Sequence, residues 1–347
     1  MDLISYLPKV KRYLSFITPE QMPTWRSQTP ASITPLAQGE YNMNYLIQQG
    51  DSPPWVLRVN VGSQIHREDQ IEYEFKALQL LAETKRTPLP FFVDDSREHI
   101  PQGVLGMQYL PGTMMNYQTH ATEAAQLFAE IHSLSHDLER THLIQEKTPL
   151  SMTYEECTEL LPGYLESDLA DPDIVSFLKE VLDWANTARL KETYFLNDPW
   201  NCIINTEVNS SNFIWCECEK RLSLVDWEKP LWGDPSQDLS HFCVPTTTLW
   251  KTNFRMDESI KQVFLVTYCD HLNDKHLIDT IHDRVRLRDP FNCLRGISWS
   301  AWAWIAYQTG GAAIKNQDTY RKLCSYMEIH FIRSLFKPYM EGGYSAG

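Results

Sequence analysis

The sequence lacks any long apolar segment, which bears on where the protein can work. Its longest apolar-rich run, Ile297–Tyr307, has about 11 residues, whereas a helix needs about 20 to span a bilayer. The opening stretch is interrupted by Pro8, Lys9, Lys11 and Arg12, which leaves no apolar core long enough for a signal peptide. We therefore expect a soluble, cytoplasmic protein.

Basic charge is scarce as well. Lys and Arg together number 31 against 45 Asp and Glu, for a net charge of −14. Because binding to a phosphate backbone needs clustered cations, this composition argues against a nucleic-acid partner. It leans toward a cationic small-molecule ligand, gives no sign of a membrane partner and does not indicate an oligomeric state.

The eight cysteines form no Cys-x-x-Cys pair. They are scattered along the chain, and we expect free thiols in a reducing compartment. Cys216 and Cys218 alternate on one face of a strand, which by itself is a weak indication of a zinc site. The chain also has no internal repeat and no low-complexity segment, and its length predicts about two lobes.

A β-hairpin pattern lies near the middle of the chain. Two β-type runs, Phe213–Cys216 and Leu222–Val225, flank a polar turn. Glu207, Asn212 and Asp226 would then converge at one end of the hairpin. Carboxylate and amide oxygens suit Mg²⁺ together with substrate phosphates. The ordinary alternative is a polar turn with an Asp at a strand end.

The first third of the chain predicts a small sheet and a helix. Two strands surround a turn at Gly39, which permits a tight bend and close approach to a ligand. An alternating strand follows over Trp55–Val61, and helical spacing over Gln70–Ala82. Glu74 lies at the border of the helix's apolar stripe and needs a cation if buried. Arg58 in mid-strand is the natural partner, and a Glu that reaches solvent is the alternative.

The pattern becomes mainly helical after the Leu-Pro-Gly break at 110–112. An amphipathic helix is expected over Thr122–Leu134, two more within 150–190, and mostly helices from Asp257 onward. Leu294–Gln308 is rich in aromatic residues. Core packing is the expected role of these rings, and recognition of a quaternary amine by ring faces is the alternative.

In their order these features resemble the aminoglycoside phosphotransferase and choline kinase family over residues 33–310. The resemblance implies an α+β, protein-kinase-like fold with two lobes. A small β-rich nucleotide-binding lobe would cover 1–107, with 1–30 as an N-terminal extension. A hinge at 108–112 would lead to a mainly helical lobe, 113–347, that carries the catalytic hairpin and the acceptor pocket.

The resemblance also implies a nucleotide site. The family's Gly-x-x-Asn-x-x-aromatic loop is matched by GEYNMNY at 39–45. Arg58 stands at the position of the third-strand Lys, and Glu74 at that of the helix Glu that pairs with it. The hinge, a methionine-bearing strand followed by Pro-Gly, is matched by MQYLPG at 107–112. The implied nucleotide-binding residues are Gly39, Asn42, Arg58, Glu74, Gln108 and Leu110.

The family's catalytic segment, His-x-Asp-x-x-x-x-Asn, is matched by NTEVNSSN at 205–212. Asn205 thus replaces the His that supports the loop, and Glu207 replaces the catalytic Asp. Asn212 and Asp226, the latter opening an Asp-Trp-Glu motif, would hold Mg²⁺. The resemblance therefore implies a phosphoryl-transfer centre around this hairpin.

A downstream Gly-Asp-Pro-x-x-Asp-Leu motif, matched at 233–239, is the most specific match in the chain. Asp234 can cap the helix that follows, and Asp238, one turn inside it, can fold back on a loop; both give structural support. A second register places the catalytic acid at Asp198, but Ile203 then falls where the Asn belongs. We reject that register.

The implied function is ATP-dependent, Mg²⁺-assisted transfer of the γ-phosphate to a hydroxyl of a small molecule. Three positions depart from the family. Arg58 keeps the charge of Lys but changes its geometry, and Asn205 keeps a hydrogen bond but not the ring packing of His. Glu207 moves the carboxylate outward by about 1.5 Å, where a displacement near 1 Å can cost about 10²-fold in rate.

The alternative is therefore a catalytically impaired kinase-fold protein that binds nucleotide or regulates a partner. The acceptor stays open among aminoglycosides, choline-like amines, other amino alcohols and sugars.

Overall fold

A computed structural model describes residues 2–26, 29–39, 41–134, 141–272, 278–310 and 317–344. The chain divides into two compact units. The first comprises the described parts of Met1–Met114, Asp137–Leu143 and Asn212–Pro230, and the second those of Met115–His136, Ile144–Ser211 and Leu231–Gly347. The first is built on an antiparallel sheet and the second mainly on helices, which confirms the predicted α+β class.

The described strands are β1 (Ser32–Gln38), β2 (Asn42–Gln48), β3 (Trp55–Asn60), β4 (Pro90–Asp94), β5 (Val104–Gln108), β6 (Thr113–Met114), β7 (Ile144–Gln145), β8 (Cys202–Ile204), β9 (Phe213–Cys216), β10 (Arg221–Leu224) and β11 (Leu231–Gly233). The described α-helices are α1 (Leu3–Leu14), α2 (Gln70–Leu81), α3 (Tyr117–His132), α4 (Pro149–Leu160), α5 (Pro162–Leu165), α6 (Pro172–Ala188), α7 (Thr193–Asn197), α8 (Ser236–Cys243), α9 (Pro245–Lys251), α10 (Glu258–His271), α11 (Ile281–Thr309), α12 (Gln317–Tyr326) and α13 (Ile329–Glu341).

In the first unit, five strands form an antiparallel sheet in the order β1-β2-β3-β5-β4. Strand β3 is the central one and is buried on both faces over most of its length. Its alternation follows the predicted pattern, because Trp55, Leu57 and Val59 enter one apolar cluster. Central placement gives β3 hydrogen-bonded neighbours on both sides, which makes it a rigid platform for any side chain on it.

The N-terminal segment covers one face of this sheet. Tyr6, Val10 and Tyr13 of α1 belong to the same apolar cluster as the β3 residues. Asp2 is the N-cap of this helix: its carboxylate accepts hydrogen bonds from the backbone N–H groups of Ile4 and Ser5, at 3.0 and 2.9 Å. The extension is thus part of the core of the first unit.

In the second unit, α4, α6, α11 and α13 contribute to one large apolar cluster. The predicted helix over Thr122–Leu134 begins earlier, at Tyr117, because Asn116 caps it through a 2.8 Å bond from the Gln118 N–H. The aromatic-rich stretch 294–308 is the second half of α11, a helix of 29 residues. Among the described residues, no helix combines the length and apolarity of a membrane span.

All eight cysteines lie in the described residues and are free thiols, as expected. The sulfur atoms of Cys216, at the end of β9, and Cys218, in the turn that follows, lie 2.9 Å apart. Four others, Cys157, Cys202, Cys243 and Cys293, are buried.

The first half of α11 is held in the second unit by buried ion pairs. Arg288 makes a two-pronged contact with Glu146, at 2.9 and 2.8 Å, and Arg284 pairs with Asp234. All four side chains are almost completely removed from water. Because desolvating a charge is expensive, removal of one partner leaves the other in an unfavourable environment. These pairs therefore fix α11 against β7 and the segment before α8.

We predict that Arg288→Met lowers the free energy of unfolding by about 3–5 kcal/mol, the usual cost of leaving a buried charge unpaired. Urea unfolding followed by circular dichroism measures the change. The matched control is Arg286→Met, because Arg286 lies on the same helix and is exposed. Adding Glu146→Gln to Arg288→Met should recover a large part of the loss. Equal stability of the Arg286 and Arg288 variants would refute the assignment.

Candidate functional site

Arg58 is the central charged residue of the first unit. It lies on β3, opposite Asn44 of β2 and Leu105 of β5. Its Nη1 contacts the carboxylate of Glu74 on α2, as predicted, and its Nε donates to Asn44 Oδ1 at 3.0 Å. Glu74 is only 1% exposed, so the alternative of a Glu that reaches solvent is wrong.

A second carboxylate shares the same guanidinium group. Asp226 Oδ1 lies 3.0 Å from Arg58 Nη1. Burial alone would lower the pKa of Arg58, but the carboxylates of Glu74 and Asp226 outweigh burial and raise that pKa above its ordinary value. Arg58 is therefore a fixed cation held between a buried acid and a partly exposed one.

The β9–β10 hairpin brings Asn212 and Asp226 to the same end. Asn212 immediately precedes β9, Asp226 follows shortly after β10, and the Val225 N–H donates to the Asn212 carbonyl at 2.8 Å. Asp226 has a left-handed backbone, with φ of 66°. Non-glycine residues adopt this region at a cost, and such strain is concentrated at functional sites. The hairpin backbone thus places Asn212 and Asp226 at the same end, as the sequence predicts.

The predicted nucleotide loop connects β1 and β2. The Gly39 N–H donates to the Asn42 carbonyl at 2.9 Å, which closes the turn. A Cβ at Gly39 would meet nothing closer than that carbonyl, at 4.0 Å. The turn itself therefore does not require glycine, and close approach of a ligand at Gly39 stays a prediction.

Asn42 is engaged with the Asp-Trp-Glu segment. Its side-chain amide donates to the Glu228 carboxylate and accepts from Asn60 Nδ2 at 3.0 Å. The backbone carbonyl of Glu228 accepts from Gln70 Nε2 at 2.6 Å, and Trp227 is fully buried. The segment that carries Asp226 is thus fastened both to Asn42, next to the predicted nucleotide loop, and to α2.

The two predicted hinge residues follow the sheet. Gln108 is the last residue of β5, where its side-chain oxygen accepts from the Leu89 N–H at 3.3 Å. Leu110 lies just beyond and is half-buried. Their contact with a nucleotide remains a prediction.

In the second unit, Asp238 organises the segment 205–207. Its carboxylate accepts from the backbone N–H groups of Asn205 and Thr206, at 2.7 and 2.8 Å. This is the fold-back onto a loop that the sequence predicts for Asp238. Thr206 has a left-handed φ of 71°, so the carboxylate holds a strained turn in place.

Asn205 and Glu207 occupy this turn. The Asn205 side-chain oxygen accepts from the Glu207 N–H at 2.9 Å, so Asn205 retains a loop-supporting hydrogen bond. The Glu207 side chain is 24% exposed, and its Oε1 lies 3.8 Å from Arg295 Nη2. A carboxylate that is partly exposed and held by fixed neighbours can accept a proton from a bound hydroxyl.

Asp234 has a wider role than the predicted cap. Its Oδ1 accepts from the Ser236 N–H at 3.0 Å, at the start of α8, while its other oxygen pairs with Arg284. Asp198, the acid of the rejected register, ends α7 just before β8.

The charged residues of α11 are not identified by the sequence pattern. Arg284, Arg288 and Arg295 all meet acids in the second unit. Their spacing of four and seven residues would place them on one helix face. That spacing is the signal available in the sequence, but a row of charges normally indicates a face turned to solvent.

Comparisons with known proteins agree with this organisation. The model of the phosphotransferase enzyme family matches residues 32–270. A search of curated protein sequences finds no match.

Among solved structures, choline kinase from Cryptosporidium parvum Iowa II superimposes with a TM-score of 0.65 at 11% identity, over 97% of each chain. Plasmodium vivax ethanolamine kinase gives 0.63 at 11% identity, over 96% of this chain and 89% of that one. A spectinomycin phosphotransferase, solved with ADP and spectinomycin, gives 0.55 at 13% identity, over 88% and 89%. The chain has a kinase-like fold and belongs to the phosphotransferase enzyme family.

Proposed function

We propose that the protein is an ATP-dependent, Mg²⁺-assisted phosphotransferase that moves the γ-phosphate of ATP to a hydroxyl of a small molecule. The observation that carries the proposal is the ion cluster of buried Arg58 and Glu74 with the partly exposed Asp226. In phosphoryl transfer an enzyme mainly positions reactants and neutralises phosphate charge. A cation fixed on the central strand and linked to a prospective metal ligand suits that task.

The residues at the hairpin end fit a magnesium ion. Asn212 offers an amide oxygen and Asp226 a carboxylate that is 30% exposed and so can be reached from solvent. Hard oxygen donors are what Mg²⁺ prefers, and it commonly binds through one or two protein ligands plus substrate phosphates. When bound, the ion would neutralise charge on the nucleotide phosphates.

The remaining roles follow from each residue's contacts. Arg58 would bind nucleotide phosphate, with Glu74 holding the guanidinium in place. Glu207 would orient the acceptor hydroxyl and take up its proton at Oε1 or Oε2, while Asn205 and Asp238 keep the turn in shape. Gly39, Gln108 and Leu110 would contact the nucleotide through the loop and the end of β5.

An amino alcohol with a cationic group is the acceptor class that we propose. Acids at 155, 156 and 159 lie on α4, which packs against α11. On α11, Trp302 is 43% exposed. The core-packing role expected for the aromatic residues of this stretch is therefore wrong for this ring. Ring faces and carboxylates both attract ammonium groups. Two of the similar structures are named as kinases of such compounds, choline and ethanolamine.

The second candidate is a nucleotide-binding or regulatory protein that transfers phosphate poorly. It is motivated by the coincidence of Arg58, Asn205 and Glu207 in place of the family's Lys, His and Asp. The two candidates share nucleotide binding and differ in turnover, so a transfer assay separates them.

We predict acceptor-dependent ATP consumption in a coupled assay with Mg²⁺ over choline, ethanolamine, aminoglycosides and sugars. Glu207→Gln should lower transfer by about 10²–10⁴-fold, the usual contribution of a general base, with little change in ATP affinity by calorimetry. Glu219→Gln is the matched control, because Glu219 lies exposed in the β9–β10 turn. ATP binding without turnover on any acceptor would favour the second candidate, and no ATP binding would reject both.

We also predict that Asp226→Asn removes the Mg²⁺-dependent part of the thermal stabilisation by ATP. Asn tolerates a left-handed backbone and keeps an oxygen for Arg58, so the fold should be retained. Because ligand binding raises the melting temperature by mass action, melting curves with ATP plus Mg²⁺ and with ATP plus EDTA isolate the metal contribution. If the variant keeps the full metal-dependent shift, Asp226 is not a ligand.

A further inference from the structure

Arg295 of α11 is a buried cation with three partners near the proposed catalytic turn. Its side chain is 12% exposed. Nη1 donates to the Thr206 carbonyl at 2.9 Å, Nε donates to Glu156 Oε1 at 3.3 Å, and Nη2 lies 3.8 Å from Glu207 Oε1. One guanidinium group thus contacts both the backbone before Glu207 and the end of its side chain.

The group remains charged in this setting. Burial alone would lower the pKa of Arg295, but the carboxylates of Glu156 and Glu207 outweigh burial and raise it above its ordinary value. The flat guanidinium has five N–H donors in a fixed fork, which lets it hold several acceptors in set directions. A lysine ammonium could not hold the same three partners with one fixed geometry.

We propose that Arg295 is a positioning residue that holds the Glu207 carboxylate for phosphoryl transfer. The inference rests on the proposed role of Glu207. A Glu side chain has one more rotatable bond than the Asp it replaces, so its carboxylate samples more positions. Arg295 limits that freedom, because it is fixed to the Thr206 carbonyl on one side and attracts the Glu207 carboxylate on the other.

The distances agree with positioning rather than a closed salt bridge. At 3.8 Å, the contact between Arg295 and Glu207 is longer than a hydrogen bond. The guanidinium group therefore attracts the carboxylate without forming a hydrogen bond to it at this distance. Glu156 accepts from Arg295 Nε at 3.3 Å, so Glu207 shares the charge of Arg295 with a second carboxylate.

A role limited to the backbone would give different behaviour. If Arg295 only supported the Thr206 carbonyl, its loss would disturb the turn whether or not residue 207 could accept a proton. If it acts through the Glu207 carboxylate, its loss should matter only while that carboxylate is present. Variants of both residues therefore separate the two roles.

The experiment compares wild type, Arg295→Met, Glu207→Gln and the double variant in the coupled assay. We expect Arg295→Met to lower kcat by about 10–100-fold, the scale for a displacement near 1 Å, with the KM for ATP within about twofold. In the Glu207→Gln background it should cause no further loss. Arg295→Lys, which keeps the charge, should fall between wild type and Arg295→Met. Arg286→Met, an exposed arginine on the same helix, is the control and should match wild type.

An equal loss in both backgrounds, or an unchanged kcat in Arg295→Met, would overturn the inference. Crystal structures of wild type and of the Arg295 variants add a test that needs no turnover. The Glu207 carboxylate should shift or lose its single position in Arg295→Met, and an unmoved carboxylate would reject the inference. If wild type itself transfers no phosphate, the proposed function fails, while these structures still decide whether Arg295 positions Glu207. Arg295→Lys supplies this comparison if Arg295→Met does not fold.

Discussion

The ion cluster of Arg58, Glu74 and Asp226 is the constraint around which the first unit is arranged. A guanidinium group on a buried central strand would be very unfavourable alone, so it needs carboxylates in fixed places. Glu74 comes from α2 and Asp226 from the segment after β10. One cation therefore joins the sheet, the helix and the hairpin. Asn42 and Gln70 add hydrogen bonds to Glu228 of the Asp-Trp-Glu segment, and Asn60 in turn donates to Asn42.

In the second unit, carboxylates likewise hold backbone N–H groups and arginine side chains in place. Asp238 keeps the strained turn at Thr206, and Asp234 holds both the start of α8 and Arg284. Charge rather than apolar burial thus fixes the parts of this unit that carry the candidate residues. Apolar packing is non-directional, whereas a carboxylate paired with two N–H groups sets a position and an orientation. A site that must hold a carboxylate within fractions of an ångström requires the second kind of contact.

The sequence predicts well where local pattern and family order agree. The strand of Arg58, the helix of Glu74 and the β9–β10 hairpin each show a clear pattern of apolar residues. The Arg58–Glu74 pair is also predicted, because a buried acid needs a cation. The contact of Arg58 with its third partner, Asp226, is not predicted. Asp226 lies 168 residues from Arg58 in the sequence, and a local pattern does not report contacts between segments so far apart. The sequence predicts the surroundings of helix α11 least well. Its arginines suggest a solvated face, and their burial depends on acids at 146, 156 and 234, which come from three separate segments.

Each of the three residues that depart from the family pattern makes specific contacts in the structure. The planar guanidinium group of Arg58 contacts Asn44, Glu74 and Asp226 at once. The ammonium group of a lysine is a point charge and would set the directions of these contacts less well. Asn205 supplies the Glu207 N–H with an acceptor. Glu207, longer than Asp, has Arg295 beside it. Each substitution is matched by a contact that uses its particular shape. These matched contacts support the proposal of a catalytic site rebuilt around the three substitutions, rather than that of an impaired one.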